Sequence, residues 1–267
     1  MAYDIQKFNK GTFLGLARKW KTIKYRGVKK GPRGLDVIFL LDTTGSMSTY
    51  LREVRENIVE ILGEIDARVP DSRVGIVVYK DHGDEGEDLF YLVKGSGFSI
   101  TAEPVIAFIR SPEIKPGRGG GGAEAVECAL REARTYPWRA TSAKAIVLIG
   151  DKPPHGGGMD DLDACPMGVD YREEVKRLKA KRVTIYSVQV DTFMETERVF
   201  SWMAEETGGK FLRLEEAKDI PHLLVSICLK ETETETEAER LLGYERELQR
   251  KGLLTESKKR LLLELKK

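Results

Sequence analysis

The sequence has no excess of charge of either sign: 44 Lys and Arg stand against 43 Asp and Glu, a formal net charge of +1. A whole-molecule field that would gather nucleic acid or an anionic membrane is therefore excluded, and any electrostatic message must be local. Cysteine is scarce as well. Cys128, Cys165 and Cys228 are odd in number, far apart and in no C-x-x-C spacing, so neither a disulfide framework nor a zinc knuckle is indicated. No apolar run approaches the roughly 20 residues needed to span a bilayer, and the first residues lack the apolar core and small-residue cleavage site of a signal peptide. These absences lead to the expectation of a cytoplasmic chain with no transmembrane segment. Its 267 residues, 41% of them hydrophobic, suffice to bury a sizeable core.

What is present alternates. From Leu35 onward, short β-branched runs ("LDVIFLLD", "RVGIVVYKD", "KAIVLIGD", "VTIYSVQVD", "KFLRL") are separated by longer helical patterns. That is the signature of an α/β fold with a parallel sheet covered by helices on both faces. "DLFYLVKGSGFS" reads as an edge strand, and in the helix "STYLREVRENIVEILGEIDARV" Leu51, Val54, Ile58, Ile61, Leu62 and Ile65 recur at helical spacing. The pattern divides the chain into a basic arm over 1–33, an α/β domain over 34–230 and a charged helical C-terminal tail over 231–267, with a helix break near Gly252. In the arm, Phe13, Leu16, Trp20 and Ile23 form a stripe that would dock on the domain itself or meet a partner or membrane surface. The tail opens with "ETETETEAER", where Thr232, Thr234 or Thr236 would be exposed phosphate acceptors if the segment is more than a solvated linker. The leucines that follow could also join copies of the chain into a homo-oligomer.

Nearly every strand ends in an acid, at Asp42, Asp81, Asp151 and Asp191, and in an open α/β sheet the carboxyl ends of the strands form the ligand-binding edge. At the first of these ends stands "DTTGSMS". Asp42, Thr44 and Ser46 lie two apart in a strand-to-helix loop, so one carboxylate and two hydroxyl oxygens can converge on a hard cation, with Asp151 supplying a second carboxylate. Mg²⁺ suits such oxygens, with Mn²⁺ or Ca²⁺ as alternatives, and an ion so held can accept a carboxylate from another protein. An enzyme reading competes. "DTTGS" also fits the D-x-[DT]-G-[TS] motif of haloacid-dehalogenase-type phosphotransferases, which would make Asp42 a nucleophile, but "GDKPPH" lacks the further acid that completes their metal site.

Taken together, "DTTGSMS", "LIGDKPPHG", "VGIVVYKDHGD", "GGGGAEAVECAL", "VTIYSVQVD" and "ETGGKFLRLEEAKDIPHLL" resemble, in order, the landmarks of the von Willebrand factor A domain over about Gly34 to Leu229, "DTTGSMS" matching its metal-ion-dependent adhesion motif. The resemblance implies a doubly wound, Rossmann-like sheet of six strands, five parallel and one antiparallel, with the metal between the strands that end in Asp42 and Asp151. It implies a non-enzymatic adaptor working beside AAA+ ATPases, kinases or phosphatases; no kinase motif occurs in the chain itself. One departure stands out. The family places a threonine, or an Asp followed by a small residue, before the third helix, where this chain has Gly121 and Gly122, which would either be a plain flexible loop or let a partner's backbone or carboxylate approach closely, with Glu124 as an outlying candidate ligand or partner contact. Asp81, His82 and His155 form the expected rim, together with the acidic loop at Asp84, Glu85, Glu87 and Asp88, and a transition-metal site from His82, His155 and Cys165 is set against the plainer reading of a solvated loop.

Overall fold

The computed structural model describes residues 34–82, 91–117, 121–157, 164–232 and 239–267. The basic arm, the acidic residues after His82, and Thr234 and Thr236 lie outside them. Six strands form one sheet: β1 (Leu35–Asp42), β2 (Ser72–Tyr79), β3 (Val93–Gly95), β4 (Ala143–Gly150), β5 (Thr184–Gln189) and β6 (Phe211–Arg213), in the order β3-β2-β1-β4-β5-β6. Only the β2–β3 pairing is antiparallel. The chain leaves β1 toward β2 on one side and later returns to place β4 on the other, so the direction of winding reverses between the ends of β1 and β4. The doubly wound fold that the family resemblance implies is therefore present.

Eight α-helices are described: α1 (Ser48–Arg68), α2 (Ala102–Arg110), α3 (Val126–Thr135), α4 (Tyr171–Ala180), α5 (Met194–Thr207), α6 (Ile220–Glu231), α7 (Arg240–Arg250) and α8 (Glu256–Lys266). Side chains alternate across a strand, and β1 sorts the core accordingly. Leu35, Val37, Phe39 and Leu41 pack in one cluster with α1, α2 and α6, whereas Ile38 and Leu40 pack in the other with α3, α4 and α5. All eight residues of β1 are buried, which explains why its sequence reads as a continuous apolar run bounded by acids.

Residues 32–267 form one compact unit. Gly252 takes φ +68°, a left-handed turn that separates α7 from α8. Their apolar faces, with Leu241, Tyr244, Leu248, Leu261, Leu262 and Leu265, join the cluster under α1 and α6, and Tyr244 OH meets His222 Nδ1 of α6 at 2.7 Å. Thr232, expected as an exposed phosphate acceptor, is instead buried and donates its hydroxyl to the carbonyls of Cys228 and Leu229, because α6 ends against the core rather than in solvent. Among the described residues, no helix is long and apolar enough to cross a membrane.

Candidate metal centre

The carboxyl ends of β1 and β4 bring together what the spacing predicts. Asp42 terminates β1, and its Oδ1 accepts from the backbone N–H and the hydroxyl of Thr44, both at 2.7 Å. Thr44 Oγ1 lies 3.3 Å from Ser46 Oγ, so the loop curls its two hydroxyls onto one side of the carboxylate. Asp42, Thr44 and Asp151 are buried, while Ser46 is exposed at the mouth. Asp151 follows β4, with its carbonyl anchored by the Thr196 hydroxyl at 2.9 Å. Gly150 is required here, since a Cβ would come 2.5 Å from Tyr79 OH and 3.4 Å from Asp42 Oδ2.

Glu124 is an outlying candidate in the sequence and central in the structure. Its N–H donates to the Pro153 carbonyl at 2.9 Å, and the next N–H, of Ala125, donates to the Lys80 carbonyl at 3.0 Å. These two bonds lash the start of α3 across the ends of β2 and β4, turning a buried carboxyl onto Asp42. Carboxylate oxygens of Asp42, Glu124 and Asp151 all lie within 4.8 Å of one another. The loop before α3 thus supplies a side-chain oxygen after all, just beyond the glycines. A Cβ at Gly121 would stand 2.6 Å from Asp81 Oδ2, so that carboxylate would have to shift to admit one.

Three buried acids at this distance are mutually unfavourable. Burial first, and then the charge of Asp151, push the Asp42 carboxyl up, and burial with the charge of Asp42 pushes Glu124 up further. Asp42 Oδ2, Glu124 Oε2 and Asp151 Oδ1 are buried with no hydrogen-bond partner. Unpartnered buried oxygens are rare because desolvation is costly, and three buried carboxylates gathered at one strand edge are a set of donors suited to a hard divalent cation.

The rim is partly as expected. His155 Nε2 stands 2.8 Å from Asp81 Oδ1, and the two histidine rings meet edge to face at 5.0 Å. The grouping of His155 with His82 and Cys165, set in the sequence against the plainer solvated loop, is not the one found among the described residues. His155 turns to Asp81, whereas His82 and Cys165 come together with Glu127 and Cys128 of α3. Those two residues carried no signal in the sequence, because they reach His82 and Cys165 only through the folded chain.

A family model, the von Willebrand factor type A domain, matches residues 36–224. The chain belongs to that family. Among curated proteins, this von Willebrand factor A domain chain is 24% identical over 194 residues to an ariadne-like RING finger protein of Acanthamoeba polyphaga mimivirus, covering 69% of this chain and 19% of that protein. It is 27% identical over 125 residues to alpha-protein kinase vwkA of Dictyostelium discoideum, covering 46% of this chain and 19% of the kinase. The chain therefore spans about a fifth of the length of either relative. Among solved structures it resembles the pilus adhesin SpaC from Lactobacillus rhamnosus GG (TM-score 0.53, 12% identity, 75% of this chain and 30% of the adhesin). It also resembles a von Willebrand factor type A structure from Catenulispora acidiphila (TM-score 0.51, 12% identity, 74% of this chain and 42% of that one). Domains of this family commonly mediate protein–protein interactions, often bind a divalent cation and are generally not enzymes.

Proposed function

We propose that the chain is a divalent-cation-dependent protein-interaction module, holding Mg²⁺, or Mn²⁺ or Ca²⁺ in its place, through Asp42, Thr44, Ser46, Asp151 and Glu124. The observation that carries this reading is the convergence of three buried carboxylates, Asp42, Glu124 and Asp151, with one oxygen of each within 4.8 Å of the others. The ion would supply Lewis acidity toward a carboxylate of a partner protein. Two hydroxyl ligands bring no charge, and a Glu124 that keeps its proton leaves two formal charges facing the cation, the balance that lets a divalent ion take another anion. Exposed Ser46 marks the open side. The partner belongs to an assembly of the kinase, phosphatase or AAA+ ATPase kind in the cytoplasm, a reading that accords with a relative named as a protein kinase.

The alternative is an aspartyl phosphotransferase with Asp42 as nucleophile, in which Glu124 and Asp151 would hold the metal. The test is melting and titration calorimetry with Mg²⁺ and Mn²⁺, followed by partner capture with and without chelator. Cation-dependent heats and chelator-sensitive partners support the module, whereas silence in both measurements removes it. A trigonal phosphate mimic that adds covalently at Asp42 would instead establish the transferase.

A further inference from the structure

Beside the acidic centre lies a second cluster of different chemistry. His82 follows β2, Glu127 and Cys128 occupy the first turn of α3, and Cys165 stands in the connection between β4 and α4. One ligand atom from each lies within 4.8 Å of all the others. His82 Nε2 is 3.2 Å from Glu127 Oε1, 3.7 Å from Cys128 Sγ and 3.4 Å from Cys165 Sγ; Cys128 Sγ is 3.6 Å from Cys165 Sγ and 3.6 Å from Glu127 Oε1.

Hydrogen bonding does not account for this arrangement. An imidazole nitrogen has a single in-plane direction, for one proton or one lone pair, yet three atoms crowd around Nε2. A cation at the common centre serves all four at once. Bond lengths of about 2.3 Å to sulfur and about 2.0–2.1 Å to nitrogen and oxygen, in a tetrahedron, set ligand atoms about 3.8 Å (S to S), about 3.5 Å (S to N or O) and about 3.3 Å (N to O) apart. Five of the six edges are given above, and each falls within about 0.2 Å of that figure.

We propose that His82, Glu127, Cys128 and Cys165 form a structural zinc site. Two sulfurs with an imidazole select a borderline-soft ion over Mg²⁺, and four protein ligands leave no open position for substrate. Glu127 is itself held in place, since its Oε2 accepts from the His155 N–H at 3.2 Å. The ion would staple three segments that are distant in sequence, and it would do so at the helix start that presents Glu124, just ahead of Glu127. Its presence does not depend on what fills the acidic centre.

Metal analysis of the full, untagged chain purified without chelator is the test, and about one zinc per chain is expected. Replacement by Co²⁺ should give a thiolate-to-metal charge-transfer band. Cys128→Ala and Cys165→Ala each lose the zinc and the band, while Cys228→Ala, whose thiol is buried in the opposite core cluster, keeps both. Asp42→Asn keeps both as well, which separates this site from the acidic one. Should the cysteine variants fail to fold, zinc added to the wild-type chain still slows alkylation of Cys128 and Cys165 by about tenfold or more while leaving Cys228 unchanged. A reduced chain that holds no zinc and gives no band with Co²⁺, or a Cys128–Cys165 disulfide in freshly isolated protein, would overturn the proposal.

Discussion

Strand β1 carries a buried aspartate near each end, in the same row of side chains, and the two have opposite fates. Asp36 lies near the entrance of the strand and is fully engaged. Its oxygens accept from Arg73 Nε at 2.9 Å, Arg73 Nη2 at 2.7 Å, the Arg139 N–H at 2.7 Å and Arg139 Nε at 2.8 Å. Burial alone would raise its carboxyl, but the Arg73 hydrogen bonds, the Arg139 N–H and the two guanidinium charges outweigh it and hold Asp36 below the usual carboxylate range. Asp42 at the exit meets Glu124 and Asp151 instead, and its carboxyl is pushed up. Helix α3 lies between the two cases: Glu124 precedes its start and Arg139 follows its end. The fold can neutralise a buried acid when stability is the purpose, so an acid left among acids fits the proposed cation centre, where a bound ion would supply the positive charge.

The strongest challenge to this comparison is to remove Asp36. Asp36→Ala removes the buried acid that Arg73 and Arg139 share, leaving Arg139 its pair with Asp71 and Arg73 its bond to the Pro137 carbonyl, and breaking a buried ion pair typically costs about 3–5 kcal/mol. Both arginines are partly exposed, so the lower end is expected, about 3 kcal/mol, with a fall in melting temperature on the order of 10 °C. Urea unfolding read by circular dichroism checks it; a loss of under about 1 kcal/mol would mean the pairing is dispensable.

Glu231, also at the Asp36 end of the sheet, sharpens the contrast, because it accepts from hydroxyls, those of Thr184 and Tyr186. Burial pushes its carboxyl up to about 7. The unfolded chain releases that proton from about pH 4.5 upward and the folded chain near pH 7, so the stabilising contribution is complete below about pH 4.5 and lost as pH rises through about 7, about 3 kcal/mol in all. Glu231→Gln should flatten that stretch of the profile. An unchanged slope between pH 4.5 and 7 would place the titration elsewhere.

At the other end of β1, a ligand that binds only the folded state stabilises it by about 2.7 kcal/mol at a concentration 100 times its dissociation constant. Mg²⁺ or Mn²⁺ should raise the melting temperature accordingly, and Asp42→Asn should abolish that rise. Without metal the same substitution is expected to have the smallest effect of the series and the opposite sign to Asp36→Ala. Asn keeps the acceptor for the Thr44 N–H while removing a charge that Asp151 opposes, so a gain of about 1 kcal/mol or less follows. Destabilisation of the metal-free protein would show that the Asp42 charge is satisfied, and the contrast between the two ends would collapse.

The legible parts of the molecule are those governed by local periodicity. β1, β2, β4 and β5 can be read because β-branched runs end at acids or turns, β6 more weakly from "KFLRL", and α1 because its apolar residues keep helical spacing over 21 residues. Asp42, Thr44 and Ser46 are legible for the same reason, being neighbours in one loop, and Asp151 because it closes a strand. Glu124 is undervalued by its sequence context, since what aims it is a pair of backbone bonds to Pro153 and Lys80, and backbone bonds leave no mark on side-chain identity. The thiol and imidazole cluster is spread across three segments, 37 residues separating its two cysteines, so no spacing rule could gather it. Arg73 and Arg139 are likewise two basic residues among 44 until the fold sets them on either side of Asp36.

The tail helices bear on how this chain fits among modular proteins. The family match stops at residue 224, yet Leu241, Tyr244, Leu248, Leu261, Leu262 and Leu265 complete the cluster beneath α6. The segment that the family model matches and the unit that packs together here are therefore not the same length. A fragment cut at the family boundary would carry a bare oily flank and invite aggregation, and a graft of this module onto another protein must bring the two helices with it.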